Sequence, residues 1–298
     1  MINEFELLSE NAEELGLRVE LPPRRRLSTD VGNGQRLSAI AWGDGPARLV
    51  FLHGGGQNAH TFDSVLLALG QPALAVDLPG HGQSDWRADH DYSGQANASA
   101  VAAVIERHAA TPITLVGMSL GGLTAISLTS RFPRLVRCLL LVDVSPESAT
   151  RYADLTPAQR GSVALIAGPE EYASFDDMLE ATVQASPTRS RASLRRGVLY
   201  NAMELASGRW TWRYDKQRKV DPAPSDTSAG WNELSSCNVP LTLVRGALSG
   251  FVQDDDVTEM LRRKPDLAVH VVDGAGHSVQ SDRPLELVEI LQSFMAQA

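Results

Sequence analysis

Gly117-Met118-Ser119-Leu120-Gly121-Gly122 follows directly on the apolar run Ile113-Thr114-Leu115-Val116 and leads into a helix-forming stretch over 123–128. A Gly-x-Ser-x-Gly between a strand and a helix reads as a nucleophile elbow. The chemistry explains the spacing. Ser119 must occupy a sharp, strained turn so that its hydroxyl stands clear of the sheet. Gly117 and Gly121 flank it because side chains there would collide with the neighbouring strand and helix. The pentapeptide alone is a weak signal, and three further segments strengthen it.

Leu49-Val50-Phe51-Leu52 runs into His53-Gly54-Gly55-Gly56, a strand opening into a glycine-rich loop. Glycines let backbone N–H groups approach a substrate oxygen closely, as an oxyanion hole requires. The phosphate-binding patterns Gly-x-x-x-x-Gly-Lys-Ser/Thr and Gly-x-Gly-x-x-Gly are absent. Ala73-Leu74-Ala75-Val76 is a second buried strand, followed by Asp77-Leu78-Pro79-Gly80-His81-Gly82-Gln83-Ser84. Asp77 reads as a brace of that Pro-Gly turn and His81 as a turn residue rather than a base. Late in the chain, Val269-His270-Val271-Val272 leads through Asp273-Gly274-Ala275-Gly276 to His277 and Ser278. Of the seven histidines, His277 stands apart because it closes a strand behind two glycines. A serine first and a histidine last is the chain order of an α/β-hydrolase triad.

With these four segments in this order, the sequence closely resembles the α/β-hydrolase superfamily, and within it the small lid-bearing serine hydrolases. The resemblance runs from about residue 28 to residue 294 and implies an α/β fold: a mostly parallel sheet flanked by helices, with an inserted helical lid. It implies that Ser119 attacks a carbonyl and that His277 takes the proton and passes it to the leaving group. The backbone N–H of Leu120 and that of Gly55 would hold the oxyanion, with Gly56 the nearby alternative to Gly55. No metal or organic cofactor is called for. Dehalogenases and epoxide hydrolases of this fold use an aspartate nucleophile, so the serine disfavours both. Cleavage of an ester or lactone of a small organic substrate through an acyl-enzyme comes first. Carbon–carbon hydrolysis of a diketone-like substrate is second, and a non-catalytic ligand receptor on the same fold is the alternative of another class.

The triad acid departs from the commonest pattern. Most relatives carry it a few residues after the strand that follows the lid, where this chain reads Gly246-Ala247-Leu248-Ser249. A serine cannot supply the charge that stabilises an imidazolium. Asp254, Asp255 and Asp256 lie five to seven residues beyond that slot and are well explained as N-terminal caps of the helix that follows. Asp143 ends the earlier core strand, 24 residues after the nucleophile. A buried acid there needs a partner, which His277 would provide. The expected triad is Ser119, His277 and Asp143.

Length and composition agree. A 298-residue chain buries roughly three quarters of its unfolded surface, enough for one large domain with an insertion. With 27 basic and 36 acidic residues the net charge is −9, which argues against nucleic acid or anionic membrane as partner. Arg24-Arg25-Arg26 is expected on the solvated face of an early strand. Two cysteines, Cys138 and Cys237, make no disulfide framework. The N-terminal residues show no secretory pattern and no stretch approaches 18 consecutive apolar residues. A cytoplasmic monomer or homodimer is the expectation.

Along the chain, residues 1–17 read as an amphipathic extension with Phe5, Leu8, Ala12 and Leu15 on one face. Strands are predicted near 24–29 and 35–42, joined through Asn33-Gly34, and then at 48–52, 73–76, 113–116, 138–142, 239–245 and 268–272, with a closing helix over 284–296. Strand–helix alternation implies a parallel sheet covered on both faces. The core is expected over 1–144, including an N-terminal extension 1–27, and over 237–298. The lid lies between, at 145–236, with helices at 170–185 and 189–205. Its own core gathers Trp210, Trp212, Tyr214 and Trp231, and a loop runs over Pro222-Ala223-Pro224-Ser225.

Overall fold

The computed structural model describes residues 4–18, 20–148, 150–151, 155, 168–187, 189–216 and 227–298. In chain order the elements are α1 (Leu8–Glu14), β1 (Arg24–Asp30), β2 (Arg36–Trp42), β3 (Ala47–Leu52), α2 (Asp63–Leu69), β4 (Ala73–Val76), α3 (Gly94–His108), β5 (Ala109–Met118), α4 (Leu120–Arg131) and β6 (Val136–Val142). There follow α5 (Phe175–Ala185), α6 (Arg191–Asn201), β7 (Ala202–Glu204), β8 (Trp210–Trp212), α7 (Ser228–Ser236), β9 (Leu241–Gly246), α8 (Asp254–Arg263), β10 (Ala268–Val272) and α9 (Pro284–Gln297).

Eight strands form one sheet in the order β1-β2-β4-β3-β5-β6-β9-β10. The hairpin β1–β2 is antiparallel and β2 meets β4 antiparallel, while the strands from β4 through β10 run parallel. Asn33 and Gly34 turn the hairpin at positive φ, 55° and 72°. The central strands carry continuous apolar runs because both faces are covered: Leu139, Leu140 and Leu141 are all fully buried. Leu139 and Leu141 belong to the cluster shared with α3, α4 and α7, and Leu140 to the one shared with α1, α2 and α9. All the parallel strands present their C-terminal ends on one edge. Leu52, Val76, Met118, Val142, Gly246 and Val272 therefore release their loops toward a common surface, where an open α/β sheet places its ligands.

The described residues within 168–216 contribute no strand to that sheet. Helices α5 and α6 and the hairpin β7–β8 enclose a separate apolar cluster of Met178, Leu179, Leu194, Val198, Trp212 and Tyr214. Two expectations fail here. The helix predicted over 189–205 stops at Asn201, because Gly208 at φ 78° turns the chain and Ala202–Glu204 pair with Trp210–Trp212. The helix predicted from 170 starts at Phe175, since the Ser174 hydroxyl caps it by accepting from Asp177 N at 3.1 Å. Trp231 does not join the other aromatics. It lies on α7, in the main core cluster, and its indole donates to Glu147 at 2.8 Å. The expected loop Pro222–Ser225 lies outside the described residues.

The N-terminal segment also corrects the sequence reading. Helix α1 is seven residues long and buries Leu8, Asn11 and Ala12, whereas Leu15 follows its end and is half-buried. Asn11 takes the inward place because its side-chain oxygen accepts from Ser64 Oγ at 3.0 Å and from Arg196 of α6 at 3.4 Å. Arg196, itself buried, pairs with Glu10 at 2.6 Å and with Glu14, so α1 ties the inserted layer to the core. Arg26 is likewise not on a solvated face. It pairs with Asp77 at 2.6 Å and with Glu4.

His60 stands at the centre of this contact, stacked on Tyr200 of α6 with ring centroids 3.8 Å apart. Its Nδ1 lies 2.8 Å from Asp63 and its Nε2 3.1 Å from Glu4. Burial disfavours its cation, but the two carboxylates outweigh that and push its pKa up to about 9. A histidine whose folded pKa exceeds the usual 6.5 lends stability fully present below 6.5 and lost as pH rises through about 9. The melting temperature is therefore expected to fall across that interval, and a His60→Gln variant to show a flatter profile. Circular dichroism melts at a series of pH values check this; parallel profiles would contradict it.

Candidate active site

Ser119 sits between β5 and α4 with φ 51° and ψ −119°. That backbone conformation costs about 1–3 kcal/mol for a residue with a Cβ. It is held by Ser119 N donating to Val142 O at 3.3 Å and by the amides of Gly122 and Leu123 donating to Ser119 O at 2.8 and 3.0 Å. The flanking glycines permit the approach. A Cβ on Gly121 would run into the carbonyl of Leu52, one on Gly117 would stand 2.5 Å from the carbonyl of Gly121, and one on Gly122 would strike Val144. Leu120, the first residue of α4, offers an amide with no intrahelical acceptor.

The glycine loop lies directly against Ser119: a Cβ on Gly54 would meet Ser119 Cβ at 3.3 Å and Met118 Sδ at 2.5 Å. His53 anchors the loop. Its Nε2 accepts from Leu78 N at 3.0 Å, so Nδ1 carries the proton and donates to Gly54 O at 2.7 Å. Burial of the ring drives its pKa down to about 4, against the raising effect of that bond. Gln57 closes the loop from the other side, accepting from Gly54 N at 3.0 Å and donating to Ser278 at 3.4 Å. Asn201 of α6 donates to Gly56 O at 2.5 Å. Gly55 is half-buried between these fixed points.

Asp143 and His277 come together. His277 Nδ1 is 2.7 Å from Asp143 Oδ2, and both side chains are buried. Asp143 takes φ 48° at the end of β6, a left-handed conformation that Asp tolerates better than most residues. Gly246 N donates to its Oδ1 at 3.1 Å, and the Ser249 hydroxyl donates to Oδ2. Gly246 has to be a glycine, since a Cβ there would collide with the carbonyl of Gly276. Phe251 stacks on the His277 ring with centroids 3.7 Å apart. The far ring nitrogen, Nε2, is buried and has no hydrogen-bond partner among the described residues.

The other acids lie elsewhere, Asp255 exposed in the first turn of α8. Asp256 forms a capping box with Gln253 at the start of α8 and pairs with Arg151. Asp254 pairs with Arg245 and its side chain is 93% exposed. Asp77 accepts from Ala59 N at 2.7 Å and from Gln83 N at 3.1 Å, bracing the turn that contains His81. Among the described residues no group of three or more His, Cys, Asp or Glu is placed to hold a metal ion.

The family model described as "Alpha/beta hydrolase family" matches residues 49–290, from β3 to within α9. The chain belongs to this family. It is 48% identical to the esterase Rv0045c of Mycobacterium tuberculosis over 295 residues, covering 99% of this chain and 96% of that protein. A refined structure of that esterase superposes with a TM-score of 0.87 over 99% of both chains. The mouse sn-1-specific diacylglycerol lipase ABHD11 is 28% identical, over 85% of this chain and 83% of its own.

Sequence reasoning missed Gln57, Ser249 and Phe251 as parts of this site. No motif marks them: Gln57 reaches the site from the glycine loop, and Ser249 and Phe251 from the loop after β9. His53 was read only as the start of the glycine loop. A His53→Phe variant leaves the Leu78 amide buried without an acceptor, which costs about 1–3 kcal/mol. Urea unfolding is expected to show that loss, together with reduced turnover; unchanged stability would contradict the anchoring role.

Proposed function

We propose that this chain is a serine esterase acting through a covalent acyl-enzyme, with Ser119, His277 and Asp143 as its triad. The observation that carries this reading is the buried pair of His277 Nδ1 and Asp143 Oδ2 at 2.7 Å, which leaves Nε2 with no other partner among the described residues. The esterase at 48% identity supports the same chemistry. Asp143 holds the imidazole in the tautomer whose Nε2 is a free base, and its charge stabilises the imidazolium as it forms.

Ser119 Oγ attacks the ester carbonyl carbon while its proton passes to Nε2. The carbonyl oxygen takes the electron pair and is held by the amides of Leu120 and Gly55, each such donor being worth about 2.7–4 kcal/mol. Collapse breaks the bond to the alkoxy oxygen, which leaves with the proton from Nε2 as the alcohol. Water then repeats the sequence on the acyl-enzyme, releasing the carboxylic acid and restoring Ser119. Every role is filled by the chain itself, so this route calls for no metal or organic cofactor. The inserted layer within 145–236 acts as a lid over the sheet edge and selects among small organic esters. The two buried thiols, Cys138 and Cys237, fit a reducing cytoplasmic setting, as monomer or homodimer. No described helix is long and apolar enough to cross a membrane.

A fluorophosphonate probe is expected to label Ser119 stoichiometrically, and Ser119→Ala to abolish both labelling and turnover of short-chain aryl esters. Asp143→Asn should lower kcat by about 10⁴-fold, as loss of a triad carboxylate does, whereas Asp254→Asn and Asp255→Asn should change it little. Labelling of another serine, or a wild-type rate in Asp143→Asn, would refute the assignment. For the lid, limited proteolysis is expected to cut first within 145–236; a first cut inside 113–143 would place the boundary elsewhere.

A further inference from the structure

Ser249 occupies the slot after β9 where most of the families this chain resembles carry their acid, and its hydroxyl reaches the same carboxylate oxygen of Asp143 that binds His277. We infer that Ser249 is a positioning residue, acting on His277 through Asp143. The inference rests on the triad assigned above.

The hydrogen bonds define a direction. Phe251 N–H donates to Ser249 Oγ at 3.2 Å, which occupies one lone pair of the hydroxyl and leaves its proton to point at Asp143. Oδ2 therefore receives two donors, Ser249 Oγ–H and His277 Nδ1–H, while Oδ1 receives Gly246 N–H. A buried carboxylate with three donors is held in one rotamer, and a hydrogen bond to a charged group is stronger than a neutral one. The same short loop carries the ring that covers His277. Phe251 stacks on the imidazole, and its carbonyl accepts from Ser148 Oγ at 3.0 Å, whose oxygen in turn accepts from Ser145 N at 2.8 Å just beyond Asp143. Residues 143–148 and 249–251 thus form one closed polar ring, with Ser249 as the link that touches the catalytic carboxylate.

The consequence is chemical rather than architectural. Asp143 leaves β6 at positive φ, from the strand next to β9, and apart from the imidazole it has to orient, Ser249 is the one described donor to its Oδ2. Without the hydroxyl, the carboxylate keeps its charge but gains freedom, so the imidazole is oriented correctly for a smaller fraction of the time. That loss falls on the chemical step and leaves binding of the ester unchanged.

The test is a double-mutant cycle on the full chain with an aryl acetate as substrate. Ser249→Ala should lower kcat about tenfold to hundredfold, the worth of one hydrogen bond to a charged group, with KM within about twofold of wild type. Ser249→Thr, which keeps the hydroxyl, should stay within about threefold. In the Asp143→Asn background the further change Ser249→Ala should cost less than about twofold, because the group it acts through is gone. Wild-type kcat in Ser249→Ala, or an equal loss in both backgrounds, would overturn the inference. Should Ser249→Ala not fold, Ser249→Cys fills the same space with a poor donor, and the same two outcomes decide. Failure of the triad itself would look different: Asp143→Asn would retain turnover whatever stood at 249.

Discussion

A serine held at φ 51° between a strand and a helix is a local strain, and most of the structure around the site exists in the form that tolerates it. The turn closes only because α4 crosses the ends of β3 and β5 at a distance that no Cβ on Gly117 or Gly121 would permit. The backbone around Ser119 is then gripped from β6 through Val142 O and from α4 through two amides. About 1–3 kcal/mol of strain is small beside the burial of the flanking strands, every residue of which from Ile113 to Met118 is buried. The sheet stores the strain, and what it gains is a hydroxyl presented at its edge beside a helix N-terminus.

The second constraint is electrostatic. Asp143 is fully buried, and an ionised carboxylate taken out of water must be compensated by donors. The chain supplies them from two places far from Asp143 in sequence: Gly246 at the end of β9 with Ser249 in the loop that follows, and His277 beyond β10. Because β6, β9 and β10 are neighbours in the sheet, their C-terminal ends meet without any long-range adjustment. The rest follows from register: Val142 pairs with Val244, so Asp143 leaves its strand within reach of the Gly246 amide. His53 performs the corresponding task on the opposite flank. As a neutral ring wedged between two backbone groups it couples the glycine loop to the turn after β4.

The inserted layer is coupled to both flanks through polar contacts more than apolar ones. Asn201 reaches Gly56 O, Asn58 reaches Tyr200 O at 3.0 Å, and Arg196 spans to Glu10 and Glu14 of α1. Its apolar residues pack chiefly on one another. The N-terminal helix is one of the surfaces on which that layer rests.

Patterns of residue type determined the larger features. Continuous apolar runs marked the central strands, because a parallel sheet buried on both faces leaves little freedom in composition, and Asn33-Gly34 marked the hairpin β1–β2. Ser119, the glycine loop and His277 were legible because each depends on glycines at fixed offsets, a backbone requirement written directly in sequence. Asp143 was inferred from the vacancy at Ser249 and from the cost of burying an unpaired acid. The sequence did not carry the hairpin β7–β8, the inward turn of Asn11 and Arg26, the place of Trp231, or the roles of Gln57, Ser249 and Phe251. Those were decided in three dimensions. Each depends on which partner arrives from another part of the chain, and a hydrogen bond between residues 143 and 249 imposes no periodicity on either.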